Sequence, residues 1–156
     1  RPFTHRGSIL EIKTPAGLSG VRGTDFGLSI QPNGKTGLAV LEGNVLSAAQ
    51  GGEVLVAEKF QNFIIPNEPP SQPTLLMDNP YLEYRFQRVI HNGVRKVRLW
   101  GQTDSVNSVT IQGIPQNTDR EGRFQSALVP LPNRLKLQVV VTTPLGKQGV
   151  YELAIQ

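Results

Sequence analysis

The sequence predicts an all-β protein, and three observations carry that expectation. Apolar and polar residues alternate with period two, as at Phe26, Leu28 and Ile30 against Asp25, Gly27 and Ser29. Turn residues punctuate the chain, with 16 Gly and 12 Pro scattered among short apolar runs, as strands joined by tight turns require. No stretch keeps helical periodicity for more than a turn.

In chain order, Ile9 to Ile12 begins the first strand and Thr14-Pro15-Ala16-Gly17 breaks it. The run through Phe26 to Ile30 ends at Pro32-Asn33-Gly34-Lys35, a hairpin turn in which Asn-Gly tolerates positive φ. The chain returns through Thr36 to Leu41 and is expected to turn at Glu42-Gly43-Asn44 before Val45-Leu46. Gln50-Gly51-Gly52 turns again, and strands follow at Val54 to Val56 and Phe60 to Ile65. Pro66 to Pro80 holds five prolines and reads as a semi-rigid connector, since proline withholds the donor a ladder needs. A structured loop packed on the first domain, anchored by Leu75-Leu76-Met77, is the competing reading.

From Tyr81 the alternation resumes. His91-Asn92-Gly93-Val94 is a second Asn-Gly hairpin, and a two-residue turn there sets Phe86 opposite Leu99, Arg88 opposite Val97 and Arg85 opposite Trp100. Further strands are expected at Val109 to Ile111, Phe124 to Val129, Leu135 to Thr143 and Val150 to Ile155, the density of a small β-sandwich.

Charge divides the chain where the composition does. Residues 1–80 hold six bases against seven acids and residues 81–156 ten against five, within a net charge of +4. The expected organisation is a β domain over 1–65, the connector over 66–80 and a second β domain over 81–156. Hydrophobic residues at 38% suffice for a core, and charged residues at 18% fall below the quarter usual for globular chains, which argues against disorder. No apolar run approaches the ~20 residues of a membrane-spanning helix. The opening Arg1-Pro2-Phe3 reads as a mature product or an excised fragment rather than a signal peptide. The absence of cysteine excludes disulfides, thiolate catalysis and Cys-based zinc sites, and is compatible with periplasm as with cytosol.

Catalytic chemistry is thinly supplied. The two histidines, His5 and His91, lie near a terminus and at a hairpin turn, without an evident carboxylate or nucleophile partner. Asp119-Arg120-Glu121 offers two carboxylates where calcium wants six or more oxygens. Gly20, Gly23 and Gly27 precede no helix, so they are no phosphate-cradling loop. The expectation is no catalytic residues, no metal and no cofactor.

Thr14-Pro15 leading to Val21-Arg22-Gly23-Thr24-Asp25-Phe26, then Val40-Leu41-Glu42-Gly43-Asn44-Val45, resembles the FecR family of bacterial extracytoplasmic domains over about residues 9–65. Glu58-Lys59 stands where that family usually has Gly-Glu. The resemblance implies a β domain, sandwich or β-helix-like, whose first strands precede this point in the family. Val97 to Thr103, Val109 to Gly113, Glu121 to Phe124 and Val129-Pro130-Leu131 resemble the strands of bacterial Ig-like modules. FecR-like domains occur as the periplasmic part of transmembrane sigma-factor regulators, and beside Ig-like or wall-binding modules in secreted or surface proteins. An Ig-like neighbour favours the second group. The family signature Arg22, Gly23, Thr24, Asp25, Phe26 and Gly43 reads as structural: Arg22 pairs with Asp25 or Glu42 or braces a Gly-rich turn, the alternative being a guanidinium offered to a partner.

The second domain's first hairpin is the candidate contact surface. With Tyr84, Phe86, Val97 and Leu99 toward the core, Arg85, Lys96, Arg98 and Trp100 share the opposite face, Arg85 beside Trp100 in a cation–π pair. A Trp among three bases suits an acidic glycan or cell-wall polymer, an envelope protein, or the first domain. The competing reading buries the Trp, as Ig-like folds often do, and a one-residue slip in register would exchange the faces. Nucleic acid is not expected, since no aromatic stacking platform accompanies the charge. The expected function is a non-enzymatic binding or scaffold module, periplasmic or at the cell surface; the alternative is the periplasmic sensor of a FecR-type sigma-factor regulator.

Overall fold

The computed structural model describes residues 3–5, 10–131 and 135–155, with the side chains of 3–5, 10–13 and 18–24 outside that description. Among the described residues every regular element is a strand and every strand pair is antiparallel. An all-antiparallel first region rules out a β-helix-like one, which stacks parallel strands.

That region is a seven-stranded sheet: β1 (Phe3–His5), β2 (Leu10–Lys13), β3 (Leu18–Ile30), β4 (Thr36–Ala49), β5 (Gly52–Ala57), β6 (Phe60–Ile64) and β7 (Thr74–Leu75). β3 and β4 are long enough to pair with each other and with two further neighbours apiece. β3 takes β2 along its first half and β1 along its second, while β4 takes β6 and then β5. Phe26 and Leu28 of β3, Leu38, Val40 and Val45 of β4 and Val56 of β5 pack together as the buried core that the sheet itself supplies.

The centre of this sheet departs from what the sequence predicts. Neither the signature stretch nor Glu42-Gly43-Asn44 is a turn; both run through continuous strands. Their glycines serve irregularities instead. Arg22 pairs with Asn44 and Asp25 with Glu42, so Gly23 and Thr24 oppose Gly43 alone, and Gly43 takes φ of 80°. Between Asp25 and Phe26 the opposite shift, with Phe26 facing Val40, restores the register. The expected pairing of the Arg22 side chain falls outside the described residues.

The proline-rich stretch runs along the first region as a strap up to Met77, and Asp78, Asn79 and Pro80 then accept hydrogen bonds from Thr143, Asn107 and Tyr151 of the second region. Within the strap β7 pairs with β6, the Ser71 N–H donates to the Phe63 carbonyl (2.9 Å), and the Leu76 N–H to that of Lys59 (2.8 Å). The backbone does the anchoring: Leu75 is 69% exposed and Met77 53%.

In the second region two sheets enclose a core. One joins β8 (Glu83–His91) to β9 (Val94–Gln102), whose far edge carries β12 (Arg123–Gln125) and β13 (Val129–Pro130). The other runs β11 (Ile114–Gln116), β10 (Ser108–Ile111), β14 (Leu135–Thr142), β15 (Gln148–Ile155). Leu99 and Phe124 of the first sheet meet Val109, Val139, Val141 and Leu153 of the second. The single strand expected over Phe124 to Val129 is split into β12 and β13. Ser126 causes this, because its Oγ, rather than a backbone carbonyl, takes the Leu99 N–H (2.9 Å).

Where the regions meet, the buried contacts are polar. The Gln31 side chain donates to the Thr118 Oγ1 (2.9 Å) and accepts the Thr118 N–H (2.8 Å). Gln61 donates to the Asp104 carboxylate (2.8 Å). Backbones touch as well: a Cβ on Gly37 would stand 2.2 Å from the Val106 carbonyl oxygen, and one on Gly27 2.1 Å from that of Pro144. Only glycine permits strands to be approached that closely.

Candidate functional site

The β8–β9 hairpin owes its geometry to its turn. Asn92 and Gly93 both take positive φ (51° and 75°), which matches the strand twist and fixes a two-residue connection. Every pair from His91–Val94 to Glu83–Gln102 follows, including Phe86–Leu99, Arg88–Val97 and Arg85–Trp100. Val97 and Leu99 are buried and Phe86 packs on the core, so the intervening residues face away from it. Tyr84 departs from its expected place in the core and is 51% exposed. It sits opposite Gly101, whose core-side surface the Phe124 ring already covers, and turns edge-on to Phe86 with centroids 6.0 Å apart.

Trp100 lies on the outer face, half-buried rather than in the core. The Arg85 guanidinium rests 5.1 Å from the centre of its ring, an interaction of roughly 0.5–1 kcal/mol at an exposed site. The indole N–H donates to the Gln87 Oε1 (2.9 Å), which fixes the ring on the sheet. Arg98 and Lys96 continue the strip along β9, both half-buried, and the Arg98 Nε is shut from solvent with no acceptor. Among the described residues Arg85, Lys96 and Arg98 have no carboxylate partner. Between Glu83 and Asp104 the chain carries Arg85, Arg88, Arg95, Lys96 and Arg98 and no acid. Against a total of +4, these five charges leave the rest of the protein at −1. The tip adds exposed apolar surface at Ile90 (76%) and Val94 (47%).

The strip runs into an open groove of about 810 Å³. Its floor comes from Arg85, Trp100, Gln102 and Gln125, and its walls from Asn117 and Asp119 of the second region and Asn33 of the first. Asn33 is held there because its N–H donates to the Asn117 Oδ1 (2.9 Å). Asp119 is tied down in its own turn: its carboxylate accepts the N–H groups of Glu121 (2.9 Å) and Arg123 (2.8 Å) and the Arg123 Nε–H (3.2 Å). Partial burial pushes the Asp119 carboxyl up, but these bonds and the Arg123 charge outweigh that and hold it below the usual carboxylate range.

Behind the groove lies Lys35, 1% exposed. Its ammonium donates to the Thr118 Oγ1 (2.9 Å) and the Asp119 carbonyl (2.6 Å), with the Phe63 ring 4.9 Å away. Burial lowers its pKa to about 8, against the opposing pull of Asp119, Asp104 and Glu121. Arg120 completes the clasp by pairing with Glu68 of the strap.

Of the residues expected to act, Arg85, Lys96, Arg98 and Trp100 are brought together on one face. Arg22, Gly23 and Thr24 lie in β3 with side chains outside the described residues, while Asp25 and the buried Phe26 occupy the same strand and Gly43 the bulge opposite. The groove residues Asn33, Gln102, Asn117 and Gln125 escape sequence reading, because isolated amides between strands carry no pattern. Among the described residues no three His, Asp or Glu side chains cluster as metal ligands, and no helix is long and apolar enough to cross a membrane. Compared with family models, characterised proteins and solved structures, the chain matches none.

Proposed function

We propose that this chain is a non-enzymatic binding or scaffold module of a bacterial cell envelope, periplasmic or surface-exposed, that docks an acidic wall polymer or envelope protein through the outer face of β8–β9. One observation carries the reading: the β8–β9 hairpin holds five bases against one acid, a net +4 equal to that of the whole protein, and among the described residues the Arg85, Lys96 and Arg98 of its outer face have no carboxylate partner. Surface charge of one sign raises the local concentration of an oppositely charged partner and speeds its encounter. The resemblances of residues 9–65 to FecR-like domains and of 81–156 to Ig-like modules support the extracytoplasmic setting.

The experiment is sedimentation with purified peptidoglycan carrying its anionic polymers, at low and high ionic strength. Binding is expected at low salt, weakened by Arg98→Ala with Lys96→Ala and screened as the Debye length shrinks to roughly 3 Å at 1 M salt. Retention at background level in low salt removes the proposal.

The FecR-like stretch favours a second reading, the periplasmic sensor part of a transmembrane sigma-factor regulator. Its partner is then a protein segment, and the β8 edge is the surface it pairs with. Saturable binding of an outer-membrane transporter's periplasmic segment, without retention on wall polymer, selects this reading.

A further inference from the structure

The cationic strip and the groove differ in kind, and the difference identifies a ligand. The strip, Lys96 to Arg98, is monopolar. In the groove Arg123 is already paired with Asp119 and Glu121, so what is left for a ligand is the Arg85 guanidinium, Glu83 and side-chain amides around one indole. Such a surface has no net preference for a uniform polyanion. It suits a molecule that both donates and accepts hydrogen bonds at close spacing, as the hydroxyls of a sugar do. Phosphate oxygens have no proton to give a carboxylate such as Glu83, so a nucleic-acid backbone is repelled where a sugar is accepted. An acidic peptide satisfies the strip, but it brings a single N–H donor per residue to the groove, where one sugar ring brings several hydroxyls that each donate and accept. The two features are continuous, since Trp100 and Lys96 stand on one strand about 13 Å apart at ~3.3 Å per residue.

Resting on the binding-module reading above, we propose that the ligand is a carboxylate-bearing polysaccharide. It lies along β9 with its carboxylates against Arg98 and Lys96 and one sugar unit in the groove beside Trp100, between Gln125 and Asn117. Because Asn33 forms one wall, the sugar site is built from both regions. The Gln31–Thr118 and Lys35–Asp119 hydrogen bonds hold that wall at a fixed distance from the indole.

The test uses the full chain and three probes of matched charge: polygalacturonate, poly-glutamate and single-stranded polythymidylate, with neutral dextran as control, each titrated by calorimetry at low salt. Polygalacturonate is expected to bind about tenfold tighter than poly-glutamate, the worth of one or two added hydrogen bonds. Gln125→Ala, on an exposed side chain, and Trp100→Phe, which keeps an aromatic ring in place, are expected to erase that advantage and leave poly-glutamate binding unchanged. Lys96→Gln with Arg98→Gln is expected to weaken both polymers alike. Equal binding of polygalacturonate and poly-glutamate, indifferent to Gln125→Ala and Trp100→Phe, overturns the sugar site while the anionic face stands. Preference for polythymidylate overturns it in favour of nucleic acid, and failure of all three polyanions overturns the binding face itself.

Discussion

The molecule contains two hairpins closed by the same dipeptide, and they have opposite fates. At the first, Pro32 and Asn33 occupy the turn, Gly34 follows at φ of 92°, and the loop is packed between Pro15, Pro66 and the Asn117 side chain. At the second, Asn92-Gly93 projects into solvent, exposed with every neighbour from Ile90 to Arg95. Turn chemistry sets strand geometry in both. What differs is the company the strands keep. β3 and β4 are paired on both edges and face a core, whereas among the described residues β8 is paired with β9 alone. A hairpin enclosed in this way fastens the regions together; one left bare is free to carry charge outward.

The largest expected effect comes from breaking the enclosed hairpin where the regions touch. Gly37→Ala places a methyl 2.2 Å from the Val106 carbonyl oxygen, and backbone must shift to admit it. Overpacking of this kind costs about 3 kcal/mol, read as a lowered midpoint in chemical denaturation. An unchanged midpoint would mean that the regions do not meet there.

Lys35 offers a pH-dependent measure of the same junction. Below pH 8 the amine is charged in both folded and unfolded chains, and the folded one bears the cost of burying it. Between about 8 and the ordinary 10.5 only the unfolded chain keeps the proton, so stability rises with pH through that window and levels off above it. Relative to Lys35→Met, the native protein is expected to gain about 3 kcal/mol across the window, the free energy separating those two pKa values. A difference that stays flat with pH contradicts the buried ammonium.

The same substitution in both turns compares the hairpins directly. Gly34→Ala strains a positive φ and crowds Pro15 and Pro66 at 3.0 Å, whereas a Cβ on Gly93 meets nothing. Losses of about 2–3 kcal/mol and about 1 kcal/mol are expected, strain alone acting in the second. Equal losses would erase the distinction. Smallest in stability, within about 0.5 kcal/mol, is Arg98→Ala with Lys96→Ala. Its effect is on binding to an anionic polymer, weakened about tenfold, with denaturation as the control.

The free hairpin was legible in the sequence because a two-residue Asn-Gly turn leaves one register open. The alternation of Val97 and Leu99 with Lys96, Arg98 and Trp100 then assigns the faces. Tyr84 misled because alternation assumes that both sheets extend equally, and at Gly101 the Phe124 ring takes the space. The signature around Gly23 and Gly43 read as turns because a glycine that opens a bulge looks, in sequence, like one that reverses a strand. The junction was illegible for a different reason. Gln31 and Thr118, 87 residues apart, are joined by side-chain hydrogen bonds that impose no periodicity on either segment. Nothing near Lys35 distinguishes a buried lysine from a solvated one.

The open edge of β8 bears on self-association. Among the described residues the nine-residue β8 has an unpaired edge, a template on which a second copy can add, and here Arg85 stands on that edge. Two copies meeting edge to edge bring their Arg85 guanidinium groups together, so the charge that draws a polyanion also keeps identical molecules apart. A bound polymer neutralises that guard and aligns neighbouring chains along itself. Light scattering is expected to rise near charge equivalence with the polymer and to fall again in excess; scattering that follows polymer mass alone would separate the edge from any part in assembly.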